Sequence, residues 1–379
     1  MAEIKIPFNK PCFEGKELAY IEQAINNGLV SGDGKFTKKC HNFFEDELGA
    51  SKAFLTTSCT HALEMTAILL DIKPGDEVIV PSFTFVSTVN AFVLRGAIPV
   101  FIDIREDTLN LDERLLEKHI TARTKAIVVV HYAGVGCEMD TILHVANKYN
   151  IAVVEDNAHG LFGKYKGKNL GSFGSMSTLS FHETKNIICG EGGALLINAP
   201  EYIERAEIIR EKGTNRSCMF RGEVDKYTWV DIGSSYLPSD ILAAFLLAQI
   251  EKHKDIQGRR KKIWGYYYEN TSDWAGSNNV RLPIVPKHCE QSYHMFYVLL
   301  PSCQKRQELI EHLKNKGILS VFHYLPLHLS KMGRKFGCTE RSCPVTEDIS
   351  NRVLRLPFFN TLTQEEQDLV IKELKSFVF

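Results

Sequence analysis

Residues 151–160 read IAVVEDNAHG. An apolar run without polar alternation enters an acidic pair, Glu155 and Asp156, and then turns through small and polar residues. A strand buried on both faces has this pattern, and such strands belong to parallel sheets covered by helices. Just upstream, TILHVANKYN (141–150) sets Ile142, Val145 and Ala146 on one helical stripe, as in a helix lying on a sheet. Further out, EVIVPSF (77–83), IPVFIDI (98–104), AIVVVHYA (126–133), STLSFH (177–182) and GALLINA (193–199) repeat the same kind of run with helical patterns between them. The alternation predicts an α/β domain built on a mostly parallel sheet.

The segment SSYLPSDILAAFLLAQIEKHKDIQGRRKKIWGYYYEN (234–270) reads as a long helical connector, and proline enters after it in RLPIVPKHC (281–289). We expect residues 1–250 to form a large domain with an N-terminal arm, and residues 251–379 a smaller α+β domain. In the latter, YHMFYVLLP (293–301) predicts a strand and KRQELIEHLKNKG (305–317) a helix stopped by glycine. A final helix opens at Thr363, with Glu366 placed to complete a capping box.

At 379 residues the chain can bury a sizeable core without disulfide staples. Charged residues balance to a formal −1, which argues against a nucleic-acid or membrane partner and for a small-molecule one. The ten cysteines are scattered, with no CxxC pair, as in the reduced thiols of a cytoplasmic protein. Cys338 and Cys343 lie close in sequence to His323 and His328, but the spacing fits no common zinc module, and no metal is expected. The N-terminal MAEIKIPFNKPCFEGKE carries no secretion signal, and ILAAFLLAQI (241–250) is too short to span a bilayer, so a soluble chain is expected.

Ligands of open α/β sheets bind beyond the carboxyl ends of strands, where Glu155 and Asp156 fall, although strand-end acids often serve only as caps. A second signal is FHETKN (181–186) followed by GEGG (190–193), which puts Lys185 in a segment that otherwise reads as buried. Burial lowers the pKa of an amine and makes it nucleophilic. An acid at one strand end and a lysine after a later strand suit pyridoxal phosphate: the acid keeps the pyridine nitrogen protonated, and the lysine carries the cofactor.

The cofactor's phosphate needs a cradle, and TTSCTHALEMTAILL (56–70) opens a helix with small hydroxyl residues whose free N–H groups and dipole would hold a dianion. Each feature has a plainer reading by itself. Ser58 or Thr60 can be an ordinary N-cap, Phe85 in PSFTFVST (81–88) a core aromatic, GEGG a turn and His159 a satisfied polar group. Their order along one sheet favours the cofactor.

Together these motifs resemble the sugar-nucleotide aminotransferases of the DegT/DnrJ/StrS family, a branch of the aspartate aminotransferase-like (fold-type-I) pyridoxal phosphate enzymes, over nearly the whole chain. The resemblance implies a seven-stranded, mostly parallel sheet and a set of roles. Asp156 is then the partner of the pyridinium, Lys185 the covalent carrier and proton shuttle, and Phe85 the ring-stacking aromatic. Ser58, Cys59, Thr60 and Ser180 become phosphate contacts, and His159 a neighbour of the phenolic oxygen. His323, in VFHYLPLH (321–328), is expected to touch the sugar or its diphosphate.

It further implies L-glutamate as amino donor, C4 of a dTDP-4-keto-6-deoxyhexose as acceptor with a galacto product for surface polysaccharide, and a homodimer with shared sites. Two positions depart from the family pattern. Ser235, in GSSYLP (233–238), stands where many members have an asparagine that reaches the phosphate across the dimer, and Asn157 follows Asp156 where alanine is commoner. Two alternatives stay open: the gluco epimer of the product, and a sugar dehydratase, in which a histidine replaces the lysine that Lys185 retains.

Overall fold

The computed structural model describes residues 3–379. Among them, seven strands form the main sheet: β1 (Lys52–Thr56), β2 (Glu77–Pro81), β3 (Ile98–Ile102), β4 (Thr124–Val130), β5 (Ala152–Asp156), β6 (Met176–Ser180) and β7 (Gly193–Ile197). Their spatial order is β1-β7-β6-β5-β4-β2-β3. Strands β2 to β6 are mutually parallel, and β7 runs against both of its neighbours. The expected runs all became strands. Strand β1 was not anticipated, because Ala53, Phe54 and Leu55 make too short an apolar run to stand out between the Lys35–Leu48 and Cys59–Leu69 helices.

Burial on both faces explains the missing alternation. Ala126 and Val128 of β4 join Val154 and Leu63 on the side of the Cys59–Leu69 and Val86–Val93 helices, while Ile127 and Val129 pack with Val153 and Ile142 on the other side. Each such valine, leucine or isoleucine, fully withdrawn from water, contributes about 1.5–3 kcal/mol.

The same alternation separates the acidic pair. Asp156 shares the face of Val154, and Glu155 that of Val153. Glu155 is fully buried and accepts hydrogen bonds from the amides of Gly171 (2.8 Å), Phe173 (2.7 Å) and Gly174 (2.7 Å). The Cys137 amide donates to Nδ1 of His131, which leaves Nε2 as the donor to Glu155 at 2.9 Å. Glu155 therefore pins a loop under the sheet. Glu155→Gln, which sets an NH2 group among N–H donors, should cost about 1–3 kcal/mol. A shifted denaturation midpoint with unchanged cofactor uptake is the expected outcome.

The connector is two helices, Asp240–Ile250 and His253–Ser277, rather than one. Leu246, Leu247 and Ile250 pack against the sheet layer, whereas Ile263, Tyr267 and Trp274 pack with Phe296, Leu309, Leu354 and Val370. The chain must turn to serve both cores. The strand expected over 293–301 shrinks to Tyr297–Leu299, paired antiparallel with Val353–Arg355. Tyr293 adopts a left-handed backbone (φ 54°), which breaks the extended run before it. The capping box at Thr363 and Glu366 is formed. Among the described residues no helix is long and apolar enough to cross a membrane.

Candidate active site

Beyond the carboxyl ends of β4, β5 and β6 lies a cavity of about 550 Å³, with Val130, Asp156 and Ser180 at its floor. Asp156 is held at both oxygens: Oδ2 accepts from Thr88 Oγ1 at 2.6 Å and Oδ1 from the Ala158 amide at 3.2 Å. Thr84 supports Thr88 through a hydroxyl pair at 2.8 Å. Asn157 turns away from this acid: its Nδ2 donates to Leu170 O (3.0 Å), so the departure from the family pattern leaves the carboxylate's own partners untouched.

Lys185 sits in the loop from β6 to β7 and faces the same cavity. Its neighbour Asn186 fixes that loop by donating to Ser292 O (2.7 Å) and Gln257 Oε1 (3.0 Å). Burial brings the Lys185 amine down to about 8, the charge of Arg355 acts in the same direction, and Cys59 and Asp156 oppose the fall.

The glycines now have two distinct uses. Gly190 turns the loop with φ 86°. A Cβ on Gly193 would lie 2.4 Å from the Cys59 nitrogen, so only glycine lets β7 carry the helix start so close to the sheet.

At that helix start, Ser58 is the N-cap, its hydroxyl accepting from the His61 amide at 3.1 Å, as the plainer reading had it. The hydroxyls of Thr60 and Ser87 pair at 2.8 Å, and Cys59 Sγ meets Thr178 Oγ1 at 3.4 Å. The Cys59 and Thr60 amides, in the first turn, find no acceptor among the described residues and remain free for an anion.

His159 stacks on His294 with centroids 4.2 Å apart, and its Nε2 lies 3.5 Å from the Tyr324 hydroxyl. Burial, with Lys185 and Arg355 adding repulsion, pulls His159 well below the usual histidine range, so it is neutral at pH 7. Its buried Nδ1 has no partner among the described residues. His323 lines the cavity and pairs through Nδ1 with the Tyr132 hydroxyl at 3.0 Å. The Phe85 ring, 56% exposed, forms part of the mouth.

The structure thus gathers Ser58, Cys59, Thr60, Phe85, Asp156, His159, Ser180, Lys185 and His323 around one cavity. Ser235 lies apart from it on the surface, beside Glu211. His328 is also elsewhere, fully buried between Ser82 Oγ (2.6 Å) and Glu347 Oε1 (3.0 Å), where it holds the C-terminal part to the end of β2.

Sequence reasoning missed Thr88, His294, Tyr324 and Arg355, all at or behind the cavity wall. Thr88 had a weak signal, falling one turn after Phe85 at a helix start. Arg355, in VLRLP, had none.

A nucleophilic amine, an oriented carboxylate and free helix-start amides in one cavity leave three demands: an electrophile, a cationic hydrogen-bond donor and an anion. The sequence pattern of the DegT/DnrJ/EryC1/StrS aminotransferase family matches residues 11–375. The chain belongs to that family.

This aminotransferase is 33% identical over 380 residues to an uncharacterized protein of Methanocaldococcus jannaschii, covering 98% of this chain and 97% of that one. It is 32% identical to the GDP-perosamine synthase of Escherichia coli O157:H7, covering 98% of each. Among solved structures, Spr1654 of Streptococcus pneumoniae, whose sugar-aminotransferase activity is assigned provisionally, superimposes with a TM-score of 0.91 at 28% identity over 98% of each chain. That protein has been solved in apo, PLP and PMP forms.

Proposed function

We propose that this aminotransferase moves the amino group of L-glutamate to C4 of a dTDP-4-keto-6-deoxyhexose, giving dTDP-4-amino-4,6-dideoxygalactose for a surface polysaccharide. Its acceptor is a keto sugar and its cofactor pyridoxal 5′-phosphate. The observation that carries the reading is the placement of Lys185 and Asp156 on one cavity with the free amides of Cys59 and Thr60. A sugar attached to a nucleotide is favoured by the relative that makes GDP-perosamine. The dTDP-galacto assignment rests on stretches such as SGDGKFTKKC (31–40), VVHYAGVGCEMDTI (129–142) and FRGEVDKYTWVDIGSSYL (220–237), which resemble dTDP-4-amino-4,6-dideoxygalactose transaminase.

When bound, pyridoxal phosphate supplies an aldehyde that exchanges for an amine and a ring that takes up the electrons of the reacting carbon. The residues of the chain do the rest. Cys59 and Thr60 N–H groups, with the Ser58 and Ser180 hydroxyls, would take the phosphate, and the Phe85 ring at the cavity mouth would stack on the pyridine. The Asp156 carboxylate, oriented by Thr88 and Ala158, keeps the ring nitrogen protonated. Neutral His159, whose buried Nδ1 has no partner among the described residues, would meet the phenolic oxygen. Lys185 holds the cofactor and, once released from it, carries a proton at Nζ to and from the carbon bearing nitrogen. His323 contacts the sugar.

Exposed Trp229 (77%) and Phe220 (70%) lie in the segment leading to Ser235. Aromatics so open to water support a second copy of the chain over this surface, with Ser235 turned toward the partner's phosphate site.

With an amine at about 8, roughly one Lys185 in ten is neutral at pH 7, against about one in three thousand at the ordinary value. Cofactor uptake by the cofactor-free enzyme, followed by absorbance, should quicken as pH rises and level off above about 8. A profile still climbing at pH 10 would mean an unperturbed amine.

The substrate is tested by supplying cofactor, glutamate and dTDP-4-keto-6-deoxyglucose and reading the product by NMR. A small H3–H4 coupling marks the axial galacto amine, and a large one the gluco epimer. Loss of the C3 oxygen without amine transfer would instead mark a dehydratase.

A further inference from the structure

Between the Lys185 loop and His159 lies a buried imidazole, His294, which the chemistry above leaves unused. Asn186, the residue after Lys185, donates both N–H bonds of its side-chain amide, to Ser292 O at 2.7 Å and Gln257 Oε1 at 3.0 Å. Its oxygen is thereby turned to Nδ1 of His294 at 3.0 Å, so Nδ1 must carry the proton. Burial, with repulsion from His159, Lys185, Arg260 and Arg355 added, holds His294 well below the usual histidine range, and the ring is neutral at pH 7. Nε2 is then bare, and His294 has no proton to give to a ligand.

The face of the same ring meets His159, with centroids 4.2 Å apart and planes 17° from parallel. Ser292, two residues before, makes the same two connections: its hydroxyl donates to His159 O, and its carbonyl receives the Asn186 amide. From behind, Arg260 donates to the carbonyls of Tyr293 (2.8 Å) and His294 (2.6 Å). An apolar side chain would fill this volume without a buried nitrogen to satisfy, so volume alone does not account for an imidazole here.

His159 and Lys185 must reach neighbouring positions of one small ring, its phenolic oxygen and its aldehyde carbon. Their placement relative to each other therefore matters more than the position of either. We propose that His294 is a positioning residue that sets His159 and Lys185 in register, through its ring face on one side and its Nδ1–H on Asn186 on the other. The proposal rests on the aminotransferase reading above and adds the group that holds its two cofactor-facing side chains together.

Two variants separate the connections, each first checked by its unfolding curve. His294→Phe keeps a stacking ring and loses the hydrogen bond. His294→Asn keeps an N–H in the place of Nδ1 and loses the ring. In the cofactor-free enzyme, the pH midpoint of the Lys185 amine is read from its rate of reaction with trinitrobenzenesulfonate, located by peptide mapping. It should rise by about one unit in His294→Phe, because a loosened loop lets water reach the amine, and stay at the wild-type value in His294→Asn. Asp156, Cys59 and Arg355, which bear on that amine, are untouched by either change, and His159 and His323 are neutral. In the cofactor-loaded enzyme, absorbance against pH reads the protonation of the nitrogen that joins Lys185 to the cofactor. That midpoint should move by about one unit in His294→Asn, where His159 loses its hold on the phenolic oxygen, and by less than half as much in His294→Phe. Turnover should fall about tenfold in each. Should His294→Phe not fold, His294→Leu, which also lacks the donor, replaces it in the amine measurement.

Failure of either midpoint to separate the two variants, or full turnover in either, would overturn the assignment. If the wild type takes up no pyridoxal phosphate, the aminotransferase reading fails by itself and the amine midpoints still decide. Equal values in the two variants then overturn the tie to Lys185, whereas a rise confined to the variant without the donor supports it.

Discussion

Lys185→Ala is expected to lower turnover by at least about four orders of magnitude, because the proposed mechanism makes one side chain both nucleophile and proton carrier. No other amine lines the cavity among the described residues, so no second group can take over. The loop that bears Lys185 is fixed through Asn186 and by the hydrogen bonds of Phe181 with Gly192 and Cys189, not through the lysine side chain. The variant should therefore unfold at the same temperature as the wild type. It should still bind the cofactor through the helix-start amides and Asp156, but release it on dialysis. A small primary amine added to the solution should restore part of the proton transfer. Turnover above about one per cent of wild type would show that the amine at position 185 is not the reacting one.

Asp156→Asn should cost about a hundred- to a thousandfold in kcat. The amide keeps the shape: its oxygen can still accept from the Ala158 amide, and its NH2 group can donate to the Thr88 hydroxyl, which turns its own proton toward Thr84. What it loses is the charge opposite a protonated ring nitrogen, worth about 4 kcal/mol at hydrogen-bond distance in a partly screened site. Not all of that appears in the barrier, and about 3–4 kcal/mol converts to the stated loss. Cofactor retention should fall far less, since the phosphate contacts are untouched, and Asp156→Ala should show the same imbalance more strongly. Equal falls in kcat and cofactor affinity would assign Asp156 to binding alone.

The legibility of the site in the sequence follows from what each residue must do locally. Asp156 and Lys185 could be found because a charge next to an apolar strand is costly without a use. The helix start at Ser58 could be found because its cap and its free amides depend on neighbours in sequence. Gly193 was visible as part of GEGG, but its reason, that a Cβ there would come within 2.4 Å of the Cys59 nitrogen, depends on the close approach of segments far apart in the chain. His323 and His328 look alike in VFHYLPLH, yet one faces the cavity and the other is tied to Ser82 and Glu347. Only packing against the end of β2 distinguishes them.

By itself, the sequence determined the layered α/β architecture, since continuous apolar strands interleaved with amphipathic helices can hide both faces in no other way. It also fixed the capping of the last helix and singled out Asp156 and Lys185, which the structure brings to one cavity. The tertiary structure decided that Glu155 is structural while its neighbour Asp156 faces the cavity, a consequence of strand alternation together with which helices cover which face. It decided too that Arg260 is satisfied and Arg355 is not. Local pattern reports how a residue sits on its own element. Which acceptors surround a buried charge depends on segments a hundred residues apart, and no local pattern carries that information.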